Sequence, residues 1–370
     1  MFFTVSKFLV VIGVGDGDSA EESRKAEIID VTNPNLNCSI EDFPIGLIYS
    51  SGGFTKYGPL ICSGDDKNQE VTSTCYQLTE EGKFQTFQQS LKIARTFVYA
   101  ASVVTSTGDL WMLGGNNGEV GGEMSSTELI SADSDVQNNF RRLNPTLPKE
   151  LSLHCIAKID SARAILTGGY DVSYTSTTYF LNMASFSIWE GPRMIHARQE
   201  HGCTSFEFNG KTFTIAVGGS DGYFLDSTEY LTDSPNSQWQ EGNKKLSHSF
   251  HYHTNWIVVL TGPRLPEKMT TLTVVDTVIG PMVIGGLKED FSTSPYMFNL
   301  VCYGSGTDMR SSCYWRKLDQ ELRVPRSHHV VIPLGDSFAH KMCSTGMFQS
   351  VINFKDLLLC TSLRMPFPMC

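Results

Sequence analysis

The segment Gly202-Cys203-Thr204-Ser205-Phe206-Glu207-Phe208-Asn209-Gly210-Lys211-Thr212-Phe213-Thr214-Ile215-Ala216-Val217-Gly218-Gly219 decides how this chain is read. Its first seven residues alternate as a half-buried strand does, and Asn209-Gly210 is a two-residue hairpin signal. Phe213–Val217 is almost wholly apolar, as a strand covered on both faces must be. A diglycine then lets the backbone leave the crowded sheet where a Cβ would collide. Ser227–Leu231 supplies a third strand and Ser237–Gln240 a fourth. The unit is a four-stranded antiparallel sheet, which cannot bury both of its faces alone and therefore has to stack on copies of itself.

Those copies are present. Apolar runs end in diglycine at Leu113-Gly114-Gly115, Thr167-Gly168-Gly169, Val217-Gly218-Gly219 and Ile284-Gly285-Gly286, with weaker versions at Ile12-Gly13-Val14-Gly15 and Cys62-Ser63-Gly64. Counted from Gly13 through Gly64, Gly114, Gly168, Gly218 and Gly285, the steps are 51, 50, 54, 50 and 67 residues. The long last step places an insertion at about 241–260, where Trp256 and Gly262-Pro263-Arg264 repeat the signal of Trp239 and of Trp189-Glu190-Gly191-Pro192-Arg193. Trp189 and Trp239 each fall 20 residues after a second glycine, as indoles wedged between neighbouring sheets would. An arginine leads the innermost strand in Ala94-Arg95-Thr96, Ala197-Arg198-Gln199 and Pro325-Arg326-Ser327.

Together the diglycine, the Tyr or Glu that follows it, the spaced Trp and the leading Arg resemble the kelch motif over about nine-tenths of the chain. The resemblance implies an all-β fold, a six-bladed kelch-type β-propeller with four antiparallel strands per blade. The ends fit the same plan, because Phe8–Ile12 reads as a second strand with too little chain before it for a first, and Arg326–Leu334 as an innermost strand with no diglycine after it. One blade then joins the two ends and closes the ring. The expected organisation is a propeller over 1–336 and an irregular tail over 337–370, outside the repeat phase. Met1–Gly15 could also be read as a leader, but Lys7 interrupts its apolar core and Asp16 and Asp18 follow at once.

A net charge of −10 and a pI near 5.4 argue against nucleic acid as a partner. Residues 1–90 hold 13 acidic against 6 basic side chains, so most of the excess lies on the first two repeats. No apolar run approaches the ~20 residues of a membrane span. Of ten cysteines, Cys62 and Cys75 fall on successive strands of repeat two, Cys302 and Cys313 on the last two of repeat six, and Cys155 and Cys203 at one shared repeat position. These six are disulfide candidates if the chain is extracellular, and buried thiols if it is cytoplasmic. Cys38 has no obvious mate.

Signals for chemistry are sparse. His248, His251 and His253 sit within six residues inside the insertion, a weak metal candidate, and neither a nucleophile elbow, a phosphate loop nor an HExxH pair occurs. The expectation is a monomeric, non-catalytic module without a cofactor, binding a protein or a glycan through loops on one face, with Arg95, Arg198 and Arg326 as contact residues. The alternative use of these arginines is as salt bridges that space the blades. The alternative to a binding module is a secreted enzyme resembling galactose-oxidase-type copper oxidases or kelch sugar mutarotases.

Overall fold

The computed structural model describes residues 5–13, 24–34, 38, 40–66, 68, 70–96, 101–242, 263–304 and 308–349. They form a ring of six antiparallel sheets. Blade two is built from Ser51–Thr55, Gly58–Cys62, Cys75–Leu78 and Phe84–Thr86, counted from the axis outward. Blade four runs Cys155–Lys158, Arg163–Thr167, Thr178–Asn182 and Ile188–Glu190, and blade five Gly202–Phe208, Lys211–Val217, Thr228–Thr232 and Gln240–Glu241. Blade six runs Thr273–Val275, Met282–Ile284, Met297–Cys302 and Cys313–Lys317. Blade three has three strands, Ser102–Val104, Leu110–Leu113 and Thr127–Ile130, followed by the helix Ser134–Leu143 where blades two, four, five and six carry their outer strand; blade one likewise has three strands among the described residues, so the expected four are present in four of the blades. That helix starts on Asp133, whose carboxylate accepts from the Asp135 and Val136 amides, and it buries Phe140 against Trp111 and Phe186.

Blade one joins the chain ends as the sequence requires. Phe8–Ile12 pairs on one side with Ala26–Asp30 and on the other with Val330–Leu334, with Val10 opposite Ile332. All five residues of Phe8–Ile12 are buried, which is why the run is apolar throughout. The inserted stretch 241–260 falls, apart from Glu241 and Gly242, outside the described residues.

The tail differs from expectation over 337–349. Asp336–Gln349 is a helix, and it sets Phe338, Ala339, Met342 and Cys343 into the core cluster shared by blades one and two. Its apolar positions recur at three- and four-residue spacing, a period unlike that of the strands before it. Cys343 meets Cys38 in a disulfide between residues 305 apart in sequence. The other described cysteines pair as Cys62–Cys75, Cys155–Cys203 and Cys302–Cys313. Two of these join facing residues within a blade, and Cys155–Cys203 ties the inner strands of blades four and five.

Peptide mapping without reductant is expected to recover these four pairs. In the loop-closure account, removing Cys38–Cys343 costs about 5 kcal/mol and removing Cys302–Cys313 about 3 kcal/mol, so Cys343→Ser lowers Tm more than Cys313→Ser.

Candidate functional site

The diglycines build the junction between blades, and the centre of one face follows from that junction. Gly114, Gly168, Gly218 and Gly285 have φ of 58–63°, and a Cβ on any of them would lie 2.4–2.6 Å from a carbonyl oxygen of the next blade. The second glycine donates its N–H to that same carbonyl. The bonds are Gly64 to Arg95 at 2.9 Å, Gly115 to Leu151, Gly169 to Arg198 and Gly219 to Met269 at 2.8 Å, and Gly286 to Arg326 at 2.7 Å. In blade two Ser63 takes the first glycine's place, in the left-handed conformation at φ 70°.

Three histidines fill the notch that the missing Cβ leaves. The Cε1 atoms of His154, His201 and His329 stand 3.0, 2.8 and 2.7 Å from where the Cβ of Gly114, Gly168 and Gly285 would be. Leu272 occupies the same position against Gly218. Burial lowers the pKa of His154 and His329 to about 3 and holds His201 well below its ordinary value, so all three are neutral. The Thr167 hydroxyl lies 2.8 Å from His201 Nε2.

Arg95, Arg198 and Arg326 are 0–1% exposed. Each sends a guanidinium N–H to the first glycine of its own blade, Gly114, Gly218 or Gly13. Each also pairs with a glutamate on the third strand: Arg95 with Glu128 at 2.7 Å, Arg198 with Glu229 at 2.6 Å and Arg326 with Glu27 at 3.2 Å. The expectation that these arginines contact a partner is therefore corrected: they are buried and already engaged, and they fix the blade's entry segment to its own sheet. The intervening blades replace this pair by an apolar one, Leu47 with Tyr76, Leu151 with Tyr179 and Met269 with Phe298, each within one core cluster. Around the ring, ionic and apolar couplings alternate.

Between the leading position and the notch residue lies one more. Tyr49, Leu153, Glu200, Thr271 and His328 hold it in blades two, four, five, six and one, all with φ between 51° and 56°. Non-glycine residues adopt this conformation at a cost of about 1–3 kcal/mol each, and such outliers concentrate at functional sites. Their main chains join blade to blade: Glu200 N–H donates to Leu153 O at 2.9 Å, Thr271 to Glu200 O at 2.8 Å and His328 to Thr271 O at 3.3 Å. The result is a collar of side chains at one mouth of the central channel. Tyr49 and His328 meet edge to face at 4.5 Å, and Thr270 donates to Glu200 at 3.0 Å.

Burial controls the charges in the collar. It raises Glu200 and Asp65, lowers His328 to about 4, and raises Tyr49 to about 12 with further help from Glu200 and Asp65. Blades two and five lie opposite each other, so the action of Glu200 on Tyr49 crosses the axis. Neither Glu200 nor Asp65 forms an ion pair among the described residues. Thr271 Oγ1 is buried without a hydrogen-bond partner, whereas the Thr96 hydroxyl stands against the Asp65 carboxyl.

The loops that follow the diglycines surround this mouth, since the start of each first strand pairs with the end of the second. They carry the four most exposed large apolar side chains among the described residues: Val120 at 108%, Val172 at 84%, Tyr223 at 80% and Phe291 at 75%. Tyr174 lies against Gly222 and Phe224 against Phe291, so blades four to six share a continuous aromatic rim. Elsewhere, a cleft of about 400 Å³ separates blades four and five, lined by Phe180, Glu190, Thr212 and Asn236. Trp239 is wedged between those blades as expected, whereas Trp189 is 44% exposed and lies over Phe180. His248, His251 and His253 lie outside the described residues, and among the described ones no cluster of His, Cys, Asp or Glu could hold a metal. No described helix is long and apolar enough to cross a membrane.

Fold and collar together define a six-bladed β-propeller with one specialised channel mouth. Comparison with protein-family models and with the curated proteins finds no match to the chain.

Two measurements check this account. Glu229→Gln leaves Arg198 buried without its counter-charge and is expected to cost about 3–5 kcal/mol, whereas Glu289→Gln, at the exposed pair with Lys268, costs about 0–1 kcal/mol; urea unfolding separates them. The depressed histidines give the second. Between about pH 6.5 and 4 the unfolded chain binds protons that folded His154, His201, His328 and His329 refuse, so stability falls as pH falls, by about 1.4 kcal/mol per unit for each. Asp276, raised to about 7 by burial, and Glu200 and Asp65, also raised, act with the opposite sign, three groups against four. Tm is therefore expected to drop from pH 7 to pH 5, and less steeply in His154→Leu, the residue blade six already uses there.

Proposed function

We propose that this protein is a kelch-type propeller acting as a non-catalytic interaction module in an oxidising, extracellular compartment. The observation that carries the reading is the rim of Val120, Val172, Tyr223 and Phe291: among the described residues the four most exposed large apolar side chains stand on one face, around one channel mouth. Exposed apolar residues grouped in this way mark interaction surfaces. Loops from several blades can supply the roughly 1,200–2,000 Å² that a stable protein interface buries. The diglycine junctions, the leading arginines and the buried Trp239 support the kelch assignment. The four disulfides support the compartment, since such bonds persist where the surroundings are oxidising. A protein partner fits an aromatic, multi-loop face better than a glycan, which would need a polar cleft.

The test is affinity capture on the immobilised chain followed by mass spectrometry, repeated with two variants. Tyr223→Ser/Phe291→Ser is expected to lose the captured partner, and Trp189→Ser, exposed away from the rim, to keep it. Equal retention by both variants, or binding to a glycan array that survives loss of the rim, would overturn the reading.

A further inference from the structure

The collar at the channel mouth is chemically one-sided. Its described positions are Tyr49, Leu153, Glu200, Thr271 and His328, with Asp65 beside Tyr49. None is a lysine or arginine. His328 cannot substitute for one, because burial keeps its imidazole neutral. The two carboxylates are thus partly withdrawn from water with no cation among the described residues to offset them, and desolvating an unpaired charge is unfavourable. The nearby rim lysines are committed elsewhere, Lys149 to Asp171 at 3.1 Å and Lys268 to Glu289 at 3.0 Å.

A second, independent feature marks a missing donor. The Thr271 side chain is 99% buried, stands in the collar between Glu200 and His328, and its Oγ1 has no hydrogen-bond partner. Unsatisfied buried oxygens of this kind are rare in native proteins, and each asks for a donor from outside. The phenol ring of Tyr49 adds a π-face of the sort that attracts ammonium and guanidinium groups. An anionic ligand would meet only carboxylates here, and a neutral sugar would leave both carboxylates uncompensated.

We propose that the channel mouth is a socket for one basic side chain, a lysine or arginine, that the protein partner inserts at the centre of the aromatic rim. The proposal rests on the reading of that face as the docking surface and names the anchor it takes. Glu200 and Asp65 meet the charge, Thr271 Oγ1 accepts an N–H, and Tyr49 covers the apolar stem. The rim of Tyr223 and Phe291 then excludes water around the anchor, the arrangement in which one residue carries much of an interface.

Amide-resolved NMR titration of the whole chain with N-acetyl-argininamide, N-acetyl-lysinamide and the neutral N-acetyl-norleucinamide tests it. The amides of Glu200, Thr271 and His328 are expected to shift with one or both cationic probes and not with the neutral one. In Glu200→Gln, which keeps an acceptor for Thr270, the affinity falls at least about tenfold, equivalent to about 1.4 kcal/mol. No shift with either cation, an equal shift with the neutral probe, an unchanged affinity in Glu200→Gln, or a response to calcium chloride in place of the amides overturns the socket. A captured partner that is lost with Tyr223→Ser/Phe291→Ser but kept by Glu200→Gln would leave the docking face standing and remove the socket alone.

Discussion

One hydrogen bond, repeated at five blade junctions among the described residues, holds the geometry of this ring. The second residue of each diglycine gives its N–H to the carbonyl of the segment that enters the next blade. For that bond to form, two backbones must approach closer than a Cβ allows, which is why the position demands glycine. The same close approach opens the notch taken by His154, His201, Leu272 and His329. It also turns the entering chain sharply enough that the residue before the notch is left-handed. The channel collar is therefore a by-product of how blades are joined, and its strain is maintained by contacts that also close the ring.

The buried charges obey a related constraint. A guanidinium with no exposure is tolerable only when its charge is met, and each leading arginine meets a glycine carbonyl and a glutamate, while the Nε of Arg95 and of Arg198 has no partner. Glu128 and Glu229 have a further role, accepting the main-chain amides of Lys92 and Ile93 and of Ile195 and His196. The pairs thus fix the chain on the loop face from within. This is why the residues the sequence makes most conspicuous are absent from the surface, and why recognition passes to the aromatic tips of the loops beyond them.

Much of the fold was legible because it is written in local periods. Phe213–Val217 and its equivalents declare buried strands, Asn209-Gly210 declares a hairpin, and the 50-residue step declares stacking. Ring closure by Phe8–Ile12 and Val330–Leu334 followed from counting strands. Pairs set by strand register, such as Cys62 with Cys75, could also be read. What escaped is what depends on contacts between distant segments. Nothing near Cys38 points to Cys343, and the helix that carries Cys343 has a different period from everything before it. The collar escaped for another reason: Tyr49, Leu153, Glu200, Thr271 and His328 share a backbone conformation and no chemistry, so no motif records them. The arginines were found by sequence but misread, because burial cannot be seen from residue type.

The alternation of couplings sets a counting rule. Arg–Glu blades and aliphatic–aromatic blades follow one another without a fault around six positions, so the true period of the ring is a pair of blades and its symmetry is an approximate threefold. Two-colour alternation closes on itself only for even numbers. A relative built on the same junctions could gain or lose blades two at a time without placing like beside like, whereas a single added blade would leave a seam where two ionic or two apolar units face each other.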